Sequence, residues 1–200
     1  MKVRLAVIVA CLFCVITVWA QDDDYAAPLR REHWDAAVYA GGGTGLSDRT
    51  NVQFVSGGFR IARVMTGEMG PGFMRGTFEY GWEVEPVSYV LWSGYKNVYG
   101  FKVSPLMLKW NFTGKHKKNV PFFFASGGYI HTNNNVPPGD TSSHNFESGA
   151  GIGMHHFVKP GQAVTWDVRA IHLSNASIGN HNPGVNASIM WTLGYTWWKK

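Results

Sequence analysis

A histidine and a serine stand two residues apart in the sequence His172-Leu173-Ser174. In an extended strand, residues i and i+2 project from the same face, about 6.5–7 Å apart along the chain. An imidazole and a hydroxyl so placed come near hydrogen-bonding distance with modest backbone distortion. This is the pairing by which a general base activates a serine for attack on an ester carbonyl. The surrounding segment alternates. Val164, Trp166, Val168, Ala170, His172 and Ser174 share one parity, and Thr165, Asp167 and Arg169 share the other. If the charged set faces a polar interior, the histidine and serine stand on the apolar face. There an unpaired polar group costs free energy, so the pair calls for a function. The plainer alternative is that both groups are hydrated and merely finish the strand.

Other candidate groups carry less. His155 and His156 are adjacent and must point to opposite faces of a strand, so they cannot chelate together. His131, His144 and His181 fall in segments read as loops, without carboxylates at metal-ligand spacing. The run 115–118 is a basic turn. No metal or other cofactor is expected.

The elements that must position the pair are strands. Eight segments of period-two alternation are separated by stretches rich in Gly, Pro, Asn or Lys. They run over 34–43, 51–65, 73–92, 98–112, 121–132, 146–158, 163–174 and 185–198. The third is clearest: Phe78, Tyr80, Trp82 and Val84 alternate with Glu79, Gly81, Glu83 and Glu85. In the fourth the phase shifts near Pro105, which predicts a bulge or bend. Eight is an even strand number and the minimum for a bacterial outer-membrane barrel. Inward Arg60, Glu79, Glu83, Lys102, Asp167 and Arg169 are expected to pair across a narrow, filled lumen. Trp34, Trp92, Trp110, Trp191, Trp197 and Trp198 are expected to form interfacial girdles.

The N-terminus supports export. Lys2 and Arg4 precede an apolar run from Leu5 to Val18, followed by Val18-Trp19-Ala20 at a cleavage position, the layout of a signal peptide. The expected organisation is therefore a signal peptide at 1–20 and an outer-membrane β-barrel domain at 21–200. Both cysteines, Cys11 and Cys14, lie in the leader, so the mature chain has no disulfide framework or thiol chemistry. Removing Lys2 and Arg4 lowers the formal net charge from +5 to +3, too small a bias to suggest nucleic acid. No later segment approaches the roughly 20 apolar residues of a membrane helix. A chain of this kind in a membrane must form a closed barrel, because lipid offers strand edges no hydrogen bonds. With the N-terminus in the periplasm, counting strands puts the connection 175–184 outside the cell, with its flanks at outer-leaflet depth. A soluble β-sandwich or carrier is the competing fold.

One motif sharpens this. His172-Leu173-Ser174-Asn175-Ala176, followed by Asn182-Pro183-Gly184, resembles the signature of the lipid A 3-O-deacylases, the PagL family. The specific match spans about thirteen residues. The resemblance implies an eight-stranded antiparallel transmembrane barrel whose serine esterase site faces the outer leaflet. It would remove a 3-linked acyl chain from lipid A. It also implies that Ser174 is the nucleophile, His172 its general base and Asn182 an oxyanion-hole donor. The family's orienting glutamate falls twelve residues after the serine, where this chain has Asn186. An asparagine can accept from the imidazole N–H but places no negative charge beside it. The implied partners are lipid A or lipopolysaccharide and the surrounding membrane lipids, with a homodimer left open. The second reading is a non-catalytic barrel that binds lipopolysaccharide or stabilises the membrane.

Overall fold

The computed structural model describes residues 25, 27–29, 33–47, 50–114, 118–139, 141–179, 181–182 and 187–199. The expected leader at 1–20, most of the basic run 115–118, and Asn186 lie outside the described residues.

Eight antiparallel strands close into a barrel in simple up-and-down order. They are β1 (Trp34–Gly45), β2 (Val52–Val64), β3 (Thr77–Trp92), β4 (Val98–Asn111), β5 (Asn119–Thr132), β6 (His144–Lys159), β7 (Gln162–Ser174) and β8 (Ala187–Lys199). Pairing of β1 with β8 satisfies the last free edge, from Trp34 opposite Lys199 to Gly45 opposite Ser188. The seam is tight: a Cβ on Gly41 would lie 2.2 Å from the Trp191 carbonyl oxygen, and one on Gly43 would lie 2.3 Å from that of Ile189. Only glycine allows these backbones to approach so closely. No helix among the described residues is long and apolar enough to cross a membrane.

Alternation decides the two faces. Outward positions carry exposed Val38, Phe59, Ile61, Trp82, Ile152 and Leu193, an apolar wall that suits hydrocarbon. Every described strand carboxylate is buried in the lumen: Asp35, Glu79, Glu83, Glu85, Glu147 and Asp167. These acids are matched by cations. Glu83 meets Arg60 at 2.7 Å, Arg169 at 2.8 Å and Lys102 at 3.3 Å. Asp167 accepts from Arg169 Nε at 2.9 Å, and Lys109 pairs with Glu79. Buried ions are tolerable only when paired and hydrogen-bonded in this way.

Apolar layers fill the lumen above and below the charged belt. Val90, Trp92, Ile130, Val136, Leu173 and Met190 pack at the end bearing the connections 46–51, 93–97, 133–143 and 175–186. Leu29, Val120, Phe157, Ala163 and Trp198 pack at the end bearing the N- and C-terminal segments. The interior is a packed core.

Two expectations need correction. Trp92 is 7% exposed and Trp198 5%, against 54% for Trp191. Both therefore sit in the lumen layers, outside any girdle. A register shift between Glu85 and Ser88, around Pro86, reverses the parity of β3 and turns Trp92 inward. Trp198 follows the outward Trp197 and must point the other way. The shift anticipated near Pro105 is present, between Val103 and Leu106.

Candidate active site

Strand β7 carries the site because its two faces are chemically opposed. Thr165, Asp167, Arg169, Ile171 and Leu173 are buried in the lumen, while Trp166, Val168 and Ala170 are exposed on the wall. His172 and Ser174 continue the outward set and are half-buried. Across the ladder, His172 lies between Ser148 on β6 and Ala187 on β8, and Ser174 lies opposite Phe146. A cavity at this end of the lumen, lined by Ser56, Glu85, Ser88 and Glu147 among others, also touches Ile171 and Leu173. It lies on the other side of the sheet from His172 and Ser174.

Beyond Ser174 the chain turns back over the serine. The Ala176 backbone N–H donates to Ser174 Oγ at 3.2 Å, and Asn182 Nδ2 donates to the same oxygen at 3.2 Å. Two N–H groups from different parts of one connection thus converge on the hydroxyl. Asn175 builds the loop that brings them there. Its buried side chain donates from Nδ2 to the His181 carbonyl at 2.8 Å and accepts from the Ser177 N–H at 2.9 Å. Ala176 and Ser177 are held at φ 50° and 62°, a left-handed conformation costly for side-chain-bearing residues. Strain of this kind persists only where surrounding contacts enforce it. Gly179 has no room for a Cβ, which would lie 2.8 Å from the Thr141 oxygen and 2.9 Å from Asn175 Nδ2.

Of the residues singled out in the sequence, the geometry brings Asn182 and Ser174 together. It places His172 on the same wall, with no hydrogen bond joining it to Ser174. A same-face separation of about 6.5–7 Å explains this, since one side chain must rotate toward the other. No carboxylate from the described strands faces His172: Glu147 is tied to Lys102 at 3.0 Å and Asp167 to Arg169. The pattern-based reading missed the Ala176 N–H and Asn175. The first is a backbone group aimed by an unusual φ. The second had a local signal, because Asx residues favour turns through their own side chains.

The remaining histidines also find places. His155 is buried in the lumen, its Nδ1 2.8 Å from Thr165 Oγ1, whereas His156 is outside and 2.6 Å from Asn119 Oδ1. His131 and His144 are not in loops. His131 is the last residue but one of β5 and His144 the first of β6, directly opposite each other in the ladder. Among the described residues, no three His, Cys, Asp or Glu side chains gather as a metal site would require.

The model for the family described as lipid A 3-O-deacylase (PagL) matches residues 70–196. The crystal structure of the outer membrane enzyme PagL is similar, with a TM-score of 0.53 at 20% identity; 80% of this chain and 97% of that chain are covered. The outer membrane protein OprG from Pseudomonas aeruginosa has a TM-score of 0.52 at 9% identity, covering 85% of this chain and 97% of that one. At such identities the two structures speak to the fold alone. No sequence relative is found among curated proteins. The family match extends over more than half the chain and across β3 to β8, including the converging groups on Ser174: this protein is a bacterial outer-membrane barrel that belongs to the lipid A 3-O-deacylase (PagL) family.

Proposed function

We propose that this barrel is a serine esterase that hydrolyses a 3-O-linked acyl chain of lipid A in the outer leaflet, thereby remodelling lipopolysaccharide. The observation that carries the reading is the convergence of Asn182 Nδ2 and the Ala176 N–H on Ser174 Oγ, on the lipid-facing wall two residues from His172. Family membership supports the substrate class.

His172 takes the proton from Ser174 as Oγ bonds to the ester carbonyl carbon. A side-chain rotation brings the imidazole onto Oγ, a tightening expected once substrate is bound. The carbonyl oxygen becomes an oxyanion, and the Asn182 and Ala176 N–H groups, which donate to Oγ before attack, are assigned to receive it. The bond from acyl carbon to sugar oxygen then breaks, and that oxygen takes the proton from His172. Water, deprotonated by His172, hydrolyses the acyl-serine, releasing a 3-hydroxy fatty acid and restoring Ser174. Asn186 is assigned the role of accepting from the other imidazole N–H and fixing the tautomer.

The test is covalent capture. A lipophilic fluorophosphonate should modify Ser174, its phosphorus bonding to Oγ as fluoride leaves, and His172→Ala should suppress the reaction. Modification elsewhere, or none, refutes the assigned nucleophile. The second reading, a non-catalytic barrel binding lipopolysaccharide, draws on the lumen placement of every described strand carboxylate. It requires wild type to leave the fluorophosphonate unreacted.

A further inference from the structure

Next to Ser174, the outer wall carries a cluster that the esterase chemistry does not use. His131 and His144 face each other with ring centroids 4.6 Å apart. Tyr129 lies over His144 at 6.0 Å and shares a hydrogen bond with His144 Nδ1. Phe101 flanks His131 at 5.8 Å, and Phe146 flanks Tyr129 at 6.2 Å. Parity puts all five on the lipid-facing side. Phe146 is the ladder partner of Ser174, and His144 lies two residues farther toward the loop end. One strand spacing and two residues of rise place His144 about 8 Å from Ser174.

Two imidazoles in contact on an otherwise apolar wall are costly unless something meets their N–H groups. The Tyr129 bond occupies His144 Nδ1, so Nε2 carries a proton in the imidazolium and in the neutral form that accepts from Tyr129. His131 Nδ1 is buried without a hydrogen-bond partner among the described residues. The described titratable groups around the pair are Tyr99 on β4, Tyr129 on β5 and His172 on β7. Asn133, which accepts the Tyr99 N–H at 3.1 Å, and Ser142, which accepts the His144 N–H at 2.9 Å, are uncharged. The described carboxylates of these strands are buried in the lumen.

The geometry points to an anion subsite: His131 and His144 bind a phosphate group on the sugar headgroup of the glycolipid, with Tyr129 orienting His144 and Phe101 and Phe146 bordering the sugar. The inference takes its substrate from the esterase reading, and it adds how that substrate is held. A hydrogen bond to a charged group is worth about tenfold to a hundredfold in affinity.

The experiment uses the full chain carrying Ser174→Ala in phospholipid nanodiscs, so binding is read without turnover. The probes are lipid A with two phosphates and the same lipid after chemical removal of both. The phosphorylated form should bind at least about tenfold more tightly. The preference should vanish in His131→Gln/His144→Gln. Inorganic phosphate at the lipid's concentration should not displace it. Absence of a preference, its survival in the double variant, or displacement by inorganic phosphate overturns the subsite. If the double variant loses its heat-modifiable gel mobility, His144→Gln is judged by the same criterion. Acyl release by wild type is measured separately, so failure of the esterase reading and failure of the subsite are distinguishable.

Discussion

Asn182 Nδ2 and Ser174 Oγ lie 3.2 Å apart on the barrel's outer wall, joined across the turn that follows β7. The amide reaches the serine only because the connection folds back, and the polar contact persists on a surface otherwise suited to acyl chains.

If that amide serves the oxyanion, its removal should slow chemistry more than binding. Asn182→Ala is expected to lower kcat by about 10²–10³, or about 3–4 kcal/mol, with KM little changed. Steady-state acyl release from detergent-solubilised substrate measures both. A change confined to KM would assign Asn182 to binding.

If Asn175 positions the loop over Ser174, removing its donated bond alone should cost less than removing both bonds. Asn175→Ala loses both the donation to His181 and the acceptance from Ser177, each worth about 1 kcal/mol. Asn175→Asp keeps the acceptor and should retain more kcat than Asn175→Ala. Both should keep the folded gel mobility. Equal kcat in the two variants would contradict the positioning role.

The chain's departure from the family glutamate can be reversed. Asn186→Glu should raise acyl release if residue 186 faces His172, because a carboxylate stabilises the imidazolium. The corresponding loss in a serine triad is about 10⁴ in kcat, which bounds the gain. An unchanged rate would show that Asn186 does not orient the base.

The lumen network should govern stability without touching the chemistry. Glu83→Gln leaves Arg60, Lys102 and Arg169 without their shared carboxylate, a change expected to cost about 3–5 kcal/mol. The heat-modifiable transition should move to lower temperature, while acyl release per folded molecule stays the same. A parallel fall in release would link the lumen to the outer site.

The barrel was legible because lipid and lumen impose opposite demands on neighbouring residues. In β7, Asp167 and Arg169 could only face in, which sent His172 and Ser174 out. Trp92 was misread because the bulge at Pro86 reverses parity, and a simple period-two reading carries no memory of inserted residues. His131 and His144 were misread as loop residues because they border a run of Asn, Pro and Gly. Their cross-strand pairing depends on register, which single-segment patterns do not contain. Asn182 was legible through motif alone, and the Ala176 N–H was not, since the φ that aims it belongs to the folded loop.

The most direct measurement is fatty-acid release from vesicles of lipid A and purified protein, read by mass spectrometry for wild type and Ser174→Ala side by side. Wild type should liberate a 3-hydroxy fatty acid, and the variant should fall to the protein-free background. Equal release from both, or none from folded wild type, would contradict a serine esterase on the outer wall.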